Sequence, residues 1–279
     1  MGSEEVVYLT PAKGRARRLV GEGLRRVLAV VVSPFATYED IGSEPEFFGP
    51  CILIAASLLL ALLDRYVALS ASSYVRGAAS AAEPVVKVLG GYFVVSYAGN
   101  VTELPSARLQ PSSPVLLRAL DSVLTLALAG LGLRLVTLYI VAALTALGLR
   151  GGTRGMLAAT CYTLSVAVIQ QAVGVALKAV ALSQVRGIVV VLPPEEAPAK
   201  DLRLILSGVT AWLSAQASYA QAMSLVSWAA SLWQLVMLVA LFMGVSRLSL
   251  TRSIIAAIAT YAVTSLVLAP MYAALLRLG

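Results

Sequence analysis

The chain has 279 residues, is 59% hydrophobic and only 13% charged, and carries a formal net charge of +7. Soluble domains average about 25% charged residues, so a water-soluble fold of this length could not hide so much apolar surface, and lipid must be part of its solvent. Histidine is absent, which excludes Ser-His and Cys-His dyads, histidine-ligated zinc and histidine proton relays.

Other exclusions follow from the residues present. Cys51 and Cys161 both fall inside apolar runs and read as small core residues without a disulfide framework. The positive charge of a membrane protein reports its orientation, so no nucleic-acid partner is expected. No P-loop, no H-E-x-x-H and no G-x-S-x-G elbow occurs, and no cofactor or enzymatic activity is expected.

Residues 1–32 are basic, with Lys13, Arg15, Arg17, Arg18, Arg25 and Arg26. From Arg15 to Val32 the pattern predicts a helix. Leu24, Val27, Leu28 and Val31 share one face, and Arg18, Glu22, Arg25 and Arg26 lie largely off it. This reads as an amphipathic helix on an anionic leaflet, with Arg15, Arg17, Arg18, Arg25 and Arg26 as its surface charges. The competing reading is a soluble helix packed on the protein.

The next stretch, SPFATYEDIGSEPEFFGP, runs from Ser33 to Pro50. Ser33-Pro34 is a helix-start signature, and the short helix would stop at Gly42. Ser43-Glu44-Pro45 reads as a second start, and Gly49-Pro50 turns the chain into the bilayer. Glu39, Asp40, Glu44 and Glu46, with Phe47 and Phe48, form an acidic ramp. It is either a docking element for a partner or a device that steers the chain into the first span.

Residues 1–49 are thus expected to be cytoplasmic, and 50–275 to form the membrane domain. Its spans are expected at about 50–70, 118–149, 156–177, 225–245 and 254–275, each long enough for roughly 30 Å of hydrocarbon. The short connections Leu149–Gly155 and Ser246–Arg252 each carry two arginines and fall on the side of the basic N-terminus. The positive-inside rule makes that side cytoplasmic and leaves the C-terminus outside. This topology suits the plasma membrane of a prokaryote.

The long connections, 71–114 and 183–208, then lie outside. In the first, VVKVL and YFVVSYA flank Gly90-Gly91 and predict a β-hairpin. In the second, GIVVVL and LRLIL flank Pro-Pro-Glu-Glu and predict another strand pair. An isolated hairpin is marginal in water, so the two pairs are expected to join as one small sheet. The fold class is therefore an all-α membrane protein with five transmembrane helices and a small extracytoplasmic β-sheet cap.

Ionisable residues within spans are functional candidates because burying them unpaired is costly. Asp64 and Arg134 both sit about 21–23 Å from the inner side at 1.5 Å per residue, which makes an ion pair geometrically reasonable. Arg65, Gln170, Gln171, Gln234, Thr264 and Ser265 fall near that layer. The layer is either a polar site open to a head group or ion, or interhelical glue. Ala256, Thr260 and Thr264 form a small-residue stripe suited to helix packing, and Trp212, Trp228 and Trp233 with Tyr219 read as an interfacial belt.

The order of these features resembles the Yip family, small multi-pass membrane proteins known as partners of Ypt/Rab GTPases. The resemblance lies in SPFATYEDIGSEPEFFGP, whose EFFGP (Glu46 to Pro50) takes the place of an Asp-Leu-Tyr-Gly-Pro-like entry. It continues in GGTRGMLAATCY after the second span and in SWAASLWQLVMLVALFMGVSRLSLTRSIIAA through the fourth and fifth. It implies a membrane adaptor or organiser whose cytoplasmic face recruits proteins, with the ramp at Glu39, Asp40, Glu44, Glu46, Phe47, Phe48, Gly49 and Pro50 as a docking element. The alternative is a small transporter or channel using the layer around Asp64 and Arg134. The lipid bilayer is a partner in both readings, and either admits a homo-oligomer.

Overall fold

The computed structural model describes residues 12–78, 83–99, 109–146, 153–194 and 197–278, with side chains for 20–78, 83–99, 109–145, 154–194 and 197–271. In chain order the elements are α1 (Ala12–Val32), α2 (Pro34–Ser43), α3 (Phe48–Ser70), β1 (Ser72–Arg76), β2 (Val85–Leu89), β3 (Tyr92–Ser96) and β4 (Gln110–Pro111). There follow α4 (Ser113–Arg118), α5 (Leu120–Ala146), α6 (Thr153–Tyr162), α7 (Leu164–Leu182), β5 (Ile188–Leu192), α8 (Pro198–Ala215), α9 (Ala217–Gly244) and α10 (Leu250–Leu278). The inner turn at 149–152 and the side chains of Arg15, Arg17 and Arg18 lie outside the described residues.

Among the described residues, five helical segments are long and apolar enough to cross a membrane: Phe48–Ser70, Leu120–Thr145, Arg154–Leu182, Ala217–Gly244 and Leu250–Met271. Only 11–33% of each apolar window is buried inside the protein. The uncovered Leu, Ile and Val surface requires lipid, and the chain reads as a multi-pass membrane protein.

The third segment is two helices. Thr160 Oγ1 donates to the Met156 carbonyl (2.7 Å) and Thr163 Oγ1 to the Thr160 carbonyl (2.7 Å). Such back-bonding competes with the helical ladder, and the chain turns at Thr163 between α6 and α7.

The chain divides into two compact units, to which the long helices contribute different parts. The first holds residues 1–55, 138–165 and 235–261. Here α1 packs on α2, and α2 on α6. Tyr38 and Ile41 of α2, Tyr162 of α6 and Leu238, Leu241 and Phe242 of α9 are fully buried. The approach is close because glycines line it: a Cβ added at Gly244 would lie 2.6 Å from the Tyr38 carbonyl carbon and 2.7 Å from the Glu39 nitrogen. One added at Gly42 would meet the Gly244 carbonyl oxygen at 3.1 Å. Thr260, fully buried on α10, meets Thr145 of α5 hydroxyl to hydroxyl at 3.3 Å, which makes the Ala256–Thr260 part of the small-residue stripe a packing surface.

The second unit holds residues 56–137, 166–234 and 262–279 and contains one five-stranded sheet of order β2-β3-β5-β1-β4. The expected hairpin is present: β2 and β3 pair antiparallel from Val85↔Ser96 to Leu89↔Tyr92. Its two turn residues, Gly90 and Gly91, have φ of 58° and 84°, the left-handed region that a type I′ turn needs and glycine adopts freely. β5 occupies the centre and runs parallel to both β1 and β3.

The second expected strand pair is corrected. LRLIL belongs to α8, which opens on Pro198 with Asp201 in its first turn. Over five residues LRLIL looks alternating, but Leu202, Ile205, Val209, Trp212 and Leu213 recur at helical spacing and pack on one face of the sheet with Ile188, Val190 and Leu192. A Cβ at Gly208 would approach Val190 Cγ2 to 3.0 Å, so glycine lets the helix lie close to the central strand. Val75, Val94, Val189 and Val191 form the core of the opposite face. Trp212 is thus a core residue and not part of a belt, whereas Trp228 and Trp233 on α9 are exposed.

Candidate functional site

Within the first unit, the acidic ramp is divided between structure and surface. α2 starts at Pro34 as expected but continues through Ser43, and no second short helix precedes α3. The Glu46 carboxylate caps the start of α3, accepting from the Phe48 N–H (2.7 Å) and the Gly49 N–H (3.2 Å). Tyr162 donates its hydroxyl to the other oxygen of Glu46. An acid at this end also complements the helix dipole. A Cβ on Gly49 would come 2.6 Å from Tyr162 Cζ, so only glycine lets the tyrosine reach the cap.

The remaining ramp residues have other surroundings. Glu44 accepts at its backbone carbonyl from Arg26 Nη1 at 2.7 Å. Glu39 and Asp40 are exposed on α2, Phe47 and Phe48 are exposed, and Gly49 and Pro50 are buried. Arg26 was expected among the surface charges of α1 but is 7% exposed, because Gly23, Arg26 and Val30 form the face of α1 that packs inward. Arg25 is exposed. Burial pushes the Tyr38 phenol well above its ordinary range, aided by Tyr162 and Cys161 nearby.

Within the second unit, α3 and α7 share a polar seam. Ser57 Oγ donates to Gln171 Oε1 at 3.0 Å, and Lys178 Nζ donates to Asp64 Oδ1. The partners are separated by 114 residues in both pairs, so α3 and α7 run parallel and meet again after seven residues. Gln170 Nε2 reaches Ser227 Oγ of α9 at 3.4 Å. Arg65 Nη1 lies 3.9 Å from the second Asp64 oxygen.

The structure gives Asp64 a partner the sequence reading did not name, Lys178, while Arg134 is half-buried on α5. Lys178 stands one residue beyond the expected end of span three. The signal for it was available in the spacing, since Ser57 to Asp64 and Gln171 to Lys178 are both seven residues apart. Gln234 and Thr264 are buried, and Gln234 Oε1 and Thr264 Oγ1 find no hydrogen-bond partner among the described residues. Ser265 is exposed.

Chemically, the seam neutralises a carboxylate with an ammonium in a region of low dielectric, where either alone would be costly. Among the described residues, no group of three or more Cys, Asp or Glu side chains converges as metal ligands. Comparison with family models, curated proteins and solved structures finds no match.

Proposed function

We propose that the protein is a non-enzymatic membrane organiser of Yip type. In this reading its N-terminus is cytoplasmic, its C-terminus lies outside a prokaryotic plasma membrane, and β1–β5 with α8 form the outer cap. The observation that carries the reading is the locking of α2 onto α9 through Gly42 and Gly244. A helix held this rigidly presents the exposed Glu39 and Asp40 in a fixed geometry, as a docking surface for a basic partner requires. The other ramp acid with a resolved role, Glu46, is engaged in capping α3.

The test is crosslinking in native membranes, affinity purification and mass spectrometry, comparing the native chain with a Glu39→Gln/Asp40→Gln variant. A discrete partner retained by the first and lost by the second is expected. Identical protein sets from the two would overturn the reading.

A second reading, a small transporter or channel using the polar layer around Asp64 and Arg134, draws support from the buried Gln234 and Thr264 oxygens, which have no hydrogen-bond partner among the described residues. Flux into liposomes that disappears with Asp64→Asn, while partner capture is unchanged, would favour it over the organiser.

A further inference from the structure

α1 has two faces of different use. Gly23, Arg26 and Val30 turn inward, and a Cβ on Gly23 would lie 2.8 Å from Phe48 Cδ1 and 3.0 Å from the Gly49 nitrogen. Phe48 opens the first membrane-crossing segment. The middle of α1 therefore touches the first residues of that segment, which places it at the boundary of the bilayer. On the opposite side, Val20, Leu24, Leu28 and Val32 recur every fourth residue and are 39%, 47%, 71% and 84% exposed. Four apolar side chains at this spacing form one ridge.

We infer that this ridge is a lipid-docking face whose occupant is an anionic leaflet. Two further observations select lipid. Phe35, Phe47 and Phe48, on the segments that follow α1, are also exposed, and Phe48 opens the first crossing segment. The sequence of α1 also carries six basic residues against one acid, a balance that favours anionic head groups. The lipid face differs from the one the sequence pattern suggests: it keeps Leu24 and Leu28, adds Val20 and Val32, and turns Val27 and Val31 to its flank.

The test is independent of any partner. The full chain, with Cys51→Ala and Cys161→Ala, is reconstituted in vesicles containing phosphatidylglycerol, with spin labels at Leu24→Cys, Leu28→Cys or Glu39→Cys. Collision with oxygen is compared with collision with a soluble nickel chelate. The oxygen-to-nickel ratio should be several-fold higher at 24 and 28 than at 39, as for side chains about 5–10 Å into the interface. It should fall in phosphatidylcholine alone. Equal ratios at all three sites would overturn the inference. So would dipolar broadening at 24 and 28 with neither probe admitted, which would assign the ridge to a second copy. An unchanged ratio in phosphatidylcholine would overturn the anionic requirement.

Discussion

Replacing Gly244 by alanine tests whether the close approach of α2 and α9 holds the first unit together. The added Cβ would lie 2.6 Å from the Tyr38 carbonyl carbon, 2.7 Å from the Glu39 nitrogen and 3.0 Å from Tyr38 Cβ. Carbon atoms pack at about 3.5–4.0 Å, so α2 must retreat by roughly 1 Å. Two of the three obstructing atoms are backbone, and no rotamer change relieves them. The retreat loosens Tyr38 and Ile41, both fully buried. Overpacking of this kind costs about 1–3 kcal/mol. Gly244 is the last residue of α9, so little helix propensity is regained. With about 2–4 °C per kcal/mol for chains of 150–250 residues, the melting temperature of the detergent-purified protein should drop by about 2–12 °C. Gly132 is the control, because a Cβ there meets nothing within 4 Å inside α5. Gly132→Ala should be neutral or stabilise by up to about 1 kcal/mol. Should Gly244→Ala melt at or above the native temperature, the close-packing argument would be wrong.

Three other outcomes follow from the sites. Lys178→Met strands a carboxylate that is 27% exposed and has Arg65 at 3.9 Å, so it should cost about 2–3 kcal/mol, less than a fully buried pair. Adding Asp64→Asn should recover most of that loss, and a double variant no more stable than Lys178→Met would refute the pairing. Glu46→Gln removes the charge at the α3 cap and should lower stability by about 1–2 kcal/mol; Tyr162→Phe on top should add less than it costs alone, read from the two melting curves. Arg76→Met removes the partner of Asp201, which is 5% exposed and whose Oδ1 has no hydrogen-bond partner among the described residues. A loss of about 1–3 kcal/mol is expected, allowing for the partial exposure of Arg76, and proteolysis of the sheet region would report it.

Apolar runs and turn chemistry were the readable parts of this chain. The crossing segments announce themselves because about 20 apolar residues have few alternatives to a bilayer. The Gly90-Gly91 hairpin was legible because two adjacent residues at positive φ demand glycine. LRLIL misled because a five-residue window cannot separate periods of 2 and 3.6 when leucines dominate it. The partner of Asp64 was sought by depth alone. Depth does not encode helix rotation, which sets Lys178 against Asp64 one heptad on from the Ser57–Gln171 contact. The fates of Arg26 and Glu46 rest on contacts across the first unit, with Glu44 and Tyr162, that local pattern does not encode.

The central place of β5 has a consequence for synthesis. β1 ends at residue 76 and β5 begins at 188, so about 110 residues, including α5, α6 and α7, must be made before either parallel pairing can form. At roughly 5–20 residues per second, β1 and the β2–β3 hairpin wait about 5–20 s without the strand that joins them. Throughout that interval the edges of β1 and β3 that β5 will join stay open, edges of the kind that seed aggregation. A nascent chain stopped after α7 lacks the strand that joins them, so the completion of β5 is the earliest point at which the sheet's parallel pairings can close.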